Sequence, residues 1–263
     1  MIGIVIHGAA GRMGRRIAAL AIESERFDIV AAVDTPGNQA MRNDIGELAG
    51  VGRFGVPLSD RLEDGPQVVI DFSLPEGTMT VLPLCRQAGR PVVIGTTGLT
   101  ESQQAEVADA ASDIPIVHAA NYSVGINVLL SVAAELAATL GPDYDIEIAE
   151  THHRFKKDAP SGTAIALARS LCEATGREYG DAAVLGRGGH APRKPGEIGI
   201  HALRVGDTVG EHAVHFGCLG ETVTISHSAH TRDTFARGAL RAAEWVVGKP
   251  AGLYDMRDVL GLR

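Results

Sequence analysis

Short apolar runs alternate with amphipathic segments through the first half of the chain. The runs IGIVIHG, FDIVAAVD, QVVIDFS, RPVVIGTTG and IPIVHAANYS are typical of buried strands. Helical patterns fill the stretches between them, over residues 8–24, 78–89 and 100–111. This alternation predicts an α/β protein with a Rossmann-type, doubly wound parallel sheet of five strands.

The pattern changes after residue 123. Helices are predicted over Val124–Leu140, Ser161–Thr175 and Thr234–Val247, the last followed by a short tail. IEIAE predicts a strand that ends at Glu150, and EIGIHALRV, TVGEHAVHFG and ETVTISHSA alternate with period two, which predicts an open antiparallel or mixed sheet. We therefore predict a dinucleotide-binding domain over residues 1–123 and 232–263, with an inserted α+β domain over residues 124–231.

Composition narrows the classes of function. The chain has 263 residues and a formal net charge of -8, so we expect no nucleic-acid partner and no attraction to anionic membranes. No apolar run reaches the roughly 18 residues of a transmembrane helix, and the N-terminus shows no signal-peptide pattern. The three scattered cysteines favour reduced thiols. Together these features predict a cytoplasmic protein.

A glycine-rich turn follows the first predicted strand. Gly8, Gly11 and Gly14 form GxxGxxG between a strand and a helix, where glycines let the backbone approach a pyrophosphate. Asp34 ends the second strand and can accept hydrogen bonds from ribose hydroxyls. Its charge would repel a 2′-phosphate, so we predict that NADH is used at least as well as NADPH. Arg12 and the more distant Arg42 stay open as partners for a phosphate.

Three further segments fall at the carboxyl ends of predicted parallel strands, where open α/β sheets bind their ligands. They are Asp71–Ser73, Gly95–Gly98 and Ala119–Ser123, and we predict that they surround the nicotinamide. Each one taken alone is explained as readily by the residues that ordinarily end a strand.

The stretch EIAETHHRFKKDAPSGTA, residues 147–164, concentrates cations and proton carriers in an acidic protein. Ser161 after Pro160 is a good N-cap, and the first turn of the helix behind it would receive a carboxylate or phosphate. Lys156 or Lys157 would supply the counter-charge, and the adjacent histidines exchange protons near neutral pH. We predict a site here for a small anion that must also be protonated.

A metal site is the alternative for this stretch, because Glu150 and His153 have an E-x-x-H spacing. That spacing is meaningful on a helix, whereas this segment is predicted as strand and loop, so we predict no metal. His212 is a candidate to line the cleft. Five further histidines are interpreted as structural: His190, His201, His215, His227 and His230.

The pattern E-x-x-E-x-H-H-x-x-K-x-D-x-P-S-G-T-A resembles the signature of the dihydrodipicolinate reductase family, also called 4-hydroxy-tetrahydrodipicolinate reductases. GAAGRMG, DFSLPEGT, VVIGTTG, AANYSVGINV, PGEIGIHALRVGDTVGEH and GLYDMRDVLGL are similar to family motifs, so the resemblance covers essentially the whole chain. It implies reduction of a cyclic dicarboxylate with NADH or NADPH in the diaminopimelate–lysine pathway. It also implies a homotetramer formed through the inserted domain, which would bind the substrate.

The resemblance also assigns roles to single residues. His152 corresponds to the proton donor or acceptor and Lys156 to a second proton donor. Substrate binding is implied for His153, Ser161, Gly162 and Thr163. Cofactor binding is implied for Gly8, Ala9, Ala10, Gly11, Arg12, Met13, Asp34, Gly95, Thr96, Thr97, Ala119, Ala120, Asn121 and Tyr122.

Two positions depart from family members that use NADPH well. The ribose-binding acid is followed there by arginine and here by Thr35, and some members carry arginine where this chain has Leu74. Both departures argue against a preference for NADPH. Two alternatives stay open: a related imine or amino-acid dehydrogenase, and a non-catalytic protein that senses NAD.

Overall fold

The computed structural model describes residues 1–62 and 65–262. The chain divides into two compact units, one formed by Met1–Val124 with Arg232–Arg263 and the other by Gly125–Thr231. Among the described residues, no helix combines the length and the apolar content that crossing a membrane requires.

Strands and helices alternate in the first part of the chain, and strands dominate the second. The strands are β1 (Ile2–His7), β2 (Phe27–Val33), β3 (Leu58–Ser59), β4 (Val68–Asp71), β5 (Val92–Ile94), β6 (Pro115–His118), β7 (Asp145–His152), β8 (Ala183–Leu185), β9 (Ile198–Arg204), β10 (Gly210–Cys218), β11 (Glu221–Ala229) and β12 (Gly252–Tyr254). The helices are α1 (Arg12–Ile22), α2 (Ile45–Ala49), α3 (Pro75–Gln87), α4 (Glu101–Ala110), α5 (Val124–Leu140), α6 (Gly162–Ala174), α7 (Tyr179–Ala182), α8 (Asp233–Val246) and α9 (Met256–Leu260).

The first unit contains a parallel sheet with the strand order β12-β6-β5-β4-β1-β2-β3. The doubly wound parallel sheet is therefore confirmed, but the prediction of five strands was too low. β3 and β12 extend its two edges with two and three residues. Such short strands carry no alternating pattern, and the predicted tail contains both β12 and α9.

Successive residues of β1 point to opposite faces of this sheet, as the pleat of a strand requires. Ile4 and Ile6 share a buried cluster with Ala243 of α8, whereas Val5 joins a separate cluster with Val81 of α3. The inner strands are therefore buried on both faces, which explains why their sequences are continuously apolar. This packing fixes the carboxyl ends of the strands along one edge.

The second unit contains a five-stranded sheet with the order β11-β10-β7-β9-β8. β7 pairs parallel with β9 and antiparallel with β10, so the sheet is mixed. The prediction had left open whether this sheet is antiparallel or mixed. Ile146 and Ile148 of β7 pack in one cluster with Leu167 and Leu171 of α6. This cluster covers one face of the sheet with helices.

β7 extends two residues beyond the predicted strand. The prediction placed His152 in a loop after Glu150, and this was wrong: His152 pairs in register with Arg204 of β9. The strand continues because β9 offers a partner up to that point. His152 is consequently held on a sheet, and the loop begins at His153.

Candidate active site

The carboxyl edge of the first unit's sheet brings the predicted cofactor residues together. β1, β4, β5 and β6 are parallel neighbours, and the predicted segments follow directly after each of them. The order of the sheet reverses at β1, between β4 and β2, which is the point where open α/β sheets bind ligands. The structure therefore places the glycine turn at this reversal.

The glycines of the turn leave room that any side chain would fill. Gly8 has a φ of +76°, and a Cβ there would lie 2.6 Å from the carbonyl oxygen of Phe72. A Cβ on Gly14 would lie 2.3 Å from the carbonyl oxygen of Gly8. The turn thus has the close backbone packing of a dinucleotide cradle, and its residues fit such a ligand.

Most backbone N–H groups of the turn already donate to acceptors in the protein. Those of Gly8 and Ala9 donate to the carbonyl oxygen of Val33, and that of Gly11 donates to Gly8. Gly11 is the N-cap of α1. The N–H groups of Arg12 and Met13 lie in the first turn of α1, where N–H groups have no acceptor inside the helix and an anion is favoured.

Asp34 directly follows β2 and is tied to the glycine turn. One carboxylate oxygen accepts from the Ala10 N–H at 2.9 Å, and the other accepts from the Thr35 N–H at 2.9 Å and the Asn38 side chain at 3.0 Å. The carboxylate is therefore fixed at the end of β2. The same bond ties Ala10 of the glycine turn to the end of β2.

A buried polar network supports the same edge, and only part of it was predicted from the sequence. Asp71 is fully buried and lies 2.8 Å from His7 Nδ1, and it accepts from the hydroxyls of Thr78 at 2.5 Å and Thr96 at 3.2 Å. Burial alone would raise the pKa of this carboxyl, but the contacts with His7, Ser73 and Thr78 hold its pKa below the ordinary value. Asp71 therefore links the ends of β1, β4 and β5.

The remaining predicted cofactor residues differ in accessibility. Thr97 and Ala120 are exposed, Gly95, Ala119 and Asn121 are half-buried, and Thr96 is buried against Asp71. A Cβ on Gly95 would overlap the Phe72 ring. Tyr122 is 2% exposed, and its hydroxyl donates toward the carbonyl oxygens of Ile94 and Val117. Its ring is thus part of the core, where it packs against the ring of Phe72.

In the second unit, a buried carboxylate joins the predicted proton donor to the predicted anion cradle. Glu150 is fully buried and accepts two hydrogen bonds from the Arg204 guanidinium, each at 2.9 Å. It also accepts from the Ser161 N–H at 3.0 Å and contacts Nδ1 of His152. Both oxygens of this carboxylate thus have protein donors, and among the described residues no group of three or more His, Cys, Asp or Glu side chains could hold a metal ion.

The charges of this pair follow from its partners. Burial would raise the pKa of Glu150, but Arg204 and His152 hold it below its ordinary value, so the carboxyl is ionised. Burial lowers the pKa of His152, while Glu150 acts in the opposite direction without cancelling the effect. His152 is therefore largely neutral at pH 7 when no ligand is bound.

Ser161 begins α6 as its N-cap, as predicted. Its hydroxyl oxygen accepts from the Ala164 N–H at 3.2 Å and lies 3.1 Å from Nε2 of His212. Ser161 is buried, whereas Gly162 is exposed and Thr163 is half-buried. Gly162 and Thr163 form the first turn of α6, where the sequence predicted the anion cradle, and Ser161 caps that turn.

His212 sits behind this start of α6. It is 4% exposed, and its ring stands edge-on to that of His152 with centroids 5.2 Å apart. Burial lowers the pKa of His212 to about 4, with a further contribution from the charge of His152. A neutral His212 leaves the positive charge of the site to the residues nearer the surface.

The loop after β7 carries the other predicted residues. Lys156 Nζ contacts both Asp158 carboxylate oxygens at 2.9 Å, while its N–H donates to the carbonyl oxygen of His153. The rings of His153 and Phe155 lie 6.3 Å apart, and Lys157 is exposed. The structure thus brings Lys156 and His153 into one short loop beside the end of β7.

Sequence reasoning missed Arg204 and the partnership of Glu150 with His152. Positions i and i+2 of a strand share one face, so E-x-H would have revealed the pair if β7 had been extended to His152. Nothing in the local sequence marks Arg204, because it lies 54 positions away.

Comparison with known proteins assigns the chain to a family. A family model described as "Dihydrodipicolinate reductase, N-terminus" matches residues 2–122, and one described as "Dihydrodipicolinate reductase, C-terminus" matches residues 125–260. A 4-hydroxy-tetrahydrodipicolinate reductase from Halorhodospira halophila is 48% identical over 265 residues, covering 99% of each chain. Another, from Alkalilimnicola ehrlichii, is 49% identical over 263 residues, covering 98% of each chain.

A solved structure supports the fold. Dipicolinate-bound dihydrodipicolinate reductase from Paenisporosarcina sp. TG-14 aligns with a TM-score of 0.76 and 24% identity, covering 97% of each chain. The resemblance inferred from the sequence motifs is confirmed: the chain belongs to the dihydrodipicolinate reductase family.

Proposed function

We propose that this protein uses a reduced nicotinamide cofactor to convert 4-hydroxy-tetrahydrodipicolinate to tetrahydrodipicolinate, a step of the diaminopimelate–lysine pathway. The name shared by full-length relatives at 48% and 49% identity supports this activity. The observation that carries it is structural: His152 and the start of α6 contact the carboxylate of Glu150, and its partner Arg204 also donates to the Asp158 carbonyl in the Lys156 loop. An anion cradle and proton carriers are what a dicarboxylate that must be protonated requires.

The two units divide the work in this proposal. The first binds the dinucleotide, with the pyrophosphate at the N–H groups of Arg12 and Met13 and the adenosine ribose at Asp34. The second binds the substrate and forms the contacts of a homotetramer. The nicotinamide would lie beside Gly95–Thr97 and Ala119–Tyr122, where the exposed Thr97 and Ala120 are accessible to it.

The substrate is a ring with two carboxylates. One carboxylate is received by the N–H groups of Gly162 and Thr163, and Lys156 supplies the opposite charge. His153, in the same loop, contributes to binding. The bound cofactor supplies the hydride. The chain's own task is to hold the ring and to neutralise the negative charge that hydride addition creates.

His152 and Lys156 deliver the proton in this mechanism. His152 is largely neutral without ligand because burial lowers its pKa, but a dianionic substrate favours the protonated imidazole. Binding the substrate therefore loads the proton that the reaction consumes. Lys156 is the second donor, and its pairing with Asp158 holds the ammonium in the loop.

The fixed carboxylate of Asp34 bears on the choice of cofactor. Its oxygens already accept from Ala10, Thr35 and Asn38, so the negative charge stays where a 2′-phosphate would approach. Thr35 brings no compensating cation. NADH is therefore used at least as well as NADPH.

A coupled assay tests the activity. A synthase would generate the substrate from pyruvate and aspartate semialdehyde, and the loss of reduced-nicotinamide absorbance would be followed with NADH and with NADPH. The proposal predicts fast oxidation that requires both synthase substrates. Cofactor binding without oxidation, although the synthase product is present, would overturn it.

A further inference from the structure

The carboxylate of Glu150 is surrounded by donors. The Arg204 guanidinium occupies both oxygens, and the Ser161 N–H and His152 Nδ1 complete the set. The residue is fully buried, so solvent does not compete for these positions. Removing this buried carboxylate would leave several donors without an acceptor, so its partners depend on it.

The ionised state of Glu150 decides which nitrogen of His152 carries a proton. A carboxylate paired bidentately with arginine has only acceptor oxygens. The Nδ1 atom that contacts it must therefore be the donor, since two acceptors would repel each other. A neutral imidazole carries one proton, so Nε2 is left as the atom that gains and loses the second.

We propose that Glu150, held in place by Arg204, is a positioning residue that fixes His152 as its Nδ1–H tautomer and thereby makes Nε2 the proton-exchanging atom of the reaction. The role assigned to Nε2 rests on the proposed function. The tautomer itself does not, because it follows from the contacts of Glu150 alone.

The same carboxylate also sets the start of α6. Its bond to the Ser161 N–H fixes the N-cap residue, and Arg204 donates to the carbonyl oxygen of Asp158 at 2.5 Å, in the loop that precedes it. The ion pair of Glu150 with Arg204 thus fixes the position of His152 relative to the start of α6. We expect changes at Glu150 to affect turnover and substrate binding together.

Gly210 gives an independent observation on the other side of the His152 ring. A Cβ at this position of β10 would lie 3.1 Å from Nε2 of His152, which is closer than ordinary contact. The ring therefore lies between the Glu150 carboxylate at Nδ1 and the buried Gly210 near Nε2. A side chain at Gly210 would crowd the atom to which we assign the proton.

Imidazole 15N chemical shifts in histidine-labelled protein distinguish the two tautomers. Signals of His152 would be assigned by their loss in His152→Gln. Neutral wild-type His152 should show a protonated Nδ1 and an unprotonated Nε2. A neutral Nε2–H tautomer in the wild type would overturn the proposal without any variant of Glu150.

Glu150→Gln removes the charge while keeping the shape, and its amide can donate to Nδ1. We expect His152 to change to the Nε2–H tautomer and kcat to fall on the order of 10²-fold, the lower end of a general acid's contribution. Glu147→Gln is the matched control, since Glu147 lies on the same strand and contacts His201, Arg187 and Arg193. It should leave the His152 tautomer and kcat unchanged.

The outcomes separate this inference from the proposed function. If Glu150→Gln changes the tautomer but keeps wild-type kcat, the role of Glu150 in turnover is contradicted. If Glu150→Gln does not fold, the variant Gly210→Ala is measured instead. It should lower kcat while Nδ1 of His152 stays protonated. An unchanged kcat in Gly210→Ala would contradict the role of Nε2. A wild-type protein that lacks reductase activity yet shows the Nδ1–H tautomer would overturn the proposed function and leave the positioning intact.

Discussion

The glycine turn of the first unit differs in composition from the Glu150 cluster of the second unit, which consists of Glu150, His152, Ser161 and Arg204. The turn has almost no side chains: Gly8, Gly11 and Gly14 bring backbone together, and a helix start presents N–H groups. The Glu150 cluster consists of charged and ionisable side chains around one buried carboxylate. The first region can hold a ligand without exchanging protons, whereas the second is equipped to exchange them.

The buried carboxylates of the two regions, Asp71 and Glu150, also connect different parts of the structure. Asp71 lies under the first region and joins strand ends through hydroxyls and His7. Glu150 joins a strand end, a helix start and a loop through Arg204, Ser161 and His152. Cofactor affinity should therefore be sensitive to backbone shape in the first unit, and turnover to charge in the second. Four predictions test that separation.

The largest expected effect is on turnover in the second region. His152→Gln should lower kcat by about 10²–10⁴-fold, because glutamine cannot exchange a proton near neutral pH. Steady-state assays with synthase-generated substrate measure the effect. His190→Gln, at an exposed histidine of the same unit, is the control and should retain wild-type kcat. Wild-type turnover of His152→Gln across the pH range would remove His152 from its proposed role.

The second prediction concerns stability in acid. The folded-state pKa of His212 is about 4 because of burial, against an unfolded value of about 6.5. Between these two values the unfolded state binds the extra proton, so stability falls as pH decreases from about 6.5 to about 4. The difference corresponds to a loss on the order of 3 kcal/mol.

Urea unfolding at pH 7 and pH 4.5 measures this loss. His212→Asn keeps a polar side chain at the position but does not titrate in that range. Its stability should therefore change less between the two pH values than that of the wild type. Equal losses in the two proteins would show that His212 is not the group responsible.

Third in size is a change of backbone shape in the glycine turn. Gly14→Ala places a Cβ 2.3 Å from the carbonyl oxygen of Gly8, which should cost about 1–3 kcal/mol of stability and weaken NADH binding. Thermal unfolding and calorimetric titration with NADH measure the two effects. Gly180→Ala meets no atom within 4 Å and serves as the control. Wild-type NADH affinity in Gly14→Ala would contradict the cradle.

The smallest predicted effect is on the choice of cofactor. Asp34→Asn removes the charge at the end of β2, so the ratio of kcat/KM for NADPH to that for NADH should rise by about tenfold. The exposed Asp143 of the second unit provides Asp143→Asn as the control, in which the ratio should not move. An unchanged ratio in Asp34→Asn would show that another residue sets cofactor preference.

The two regions were not equally predictable from sequence. Gly8, Gly11 and Gly14 act within seven residues, and Asp34 follows the next strand, so local patterns were enough to place them. The Glu150 cluster depends on partners far apart in sequence: Arg204 lies 54 positions from Glu150, and His212 lies 51 from Ser161. Such pairs are set by the register of β7 with β9 and β10, which no local pattern reveals.

The fold shows the same contrast. Long amphipathic and apolar segments such as α5 were predicted over their full length, because their periodicity extends over several turns. β3 and β12 were missed because they are too short to carry a period and form by pairing at the edges of the sheet. Asp71 was assigned to the ligand edge, yet its partner His7 lies 64 positions away and was not recognised.

The separation of the two regions is tested most directly by the NADH dissociation constant of the double variant His152→Gln/Lys156→Ala. Both substitutions lie in the second unit, and neither residue contacts the glycine turn in the proposed mechanism. We predict loss of turnover with an NADH dissociation constant within about twofold of the wild type, a difference well below 1 kcal/mol. A dissociation constant raised by about tenfold or more would contradict it, because the proton-exchanging residues would then also hold the cofactor.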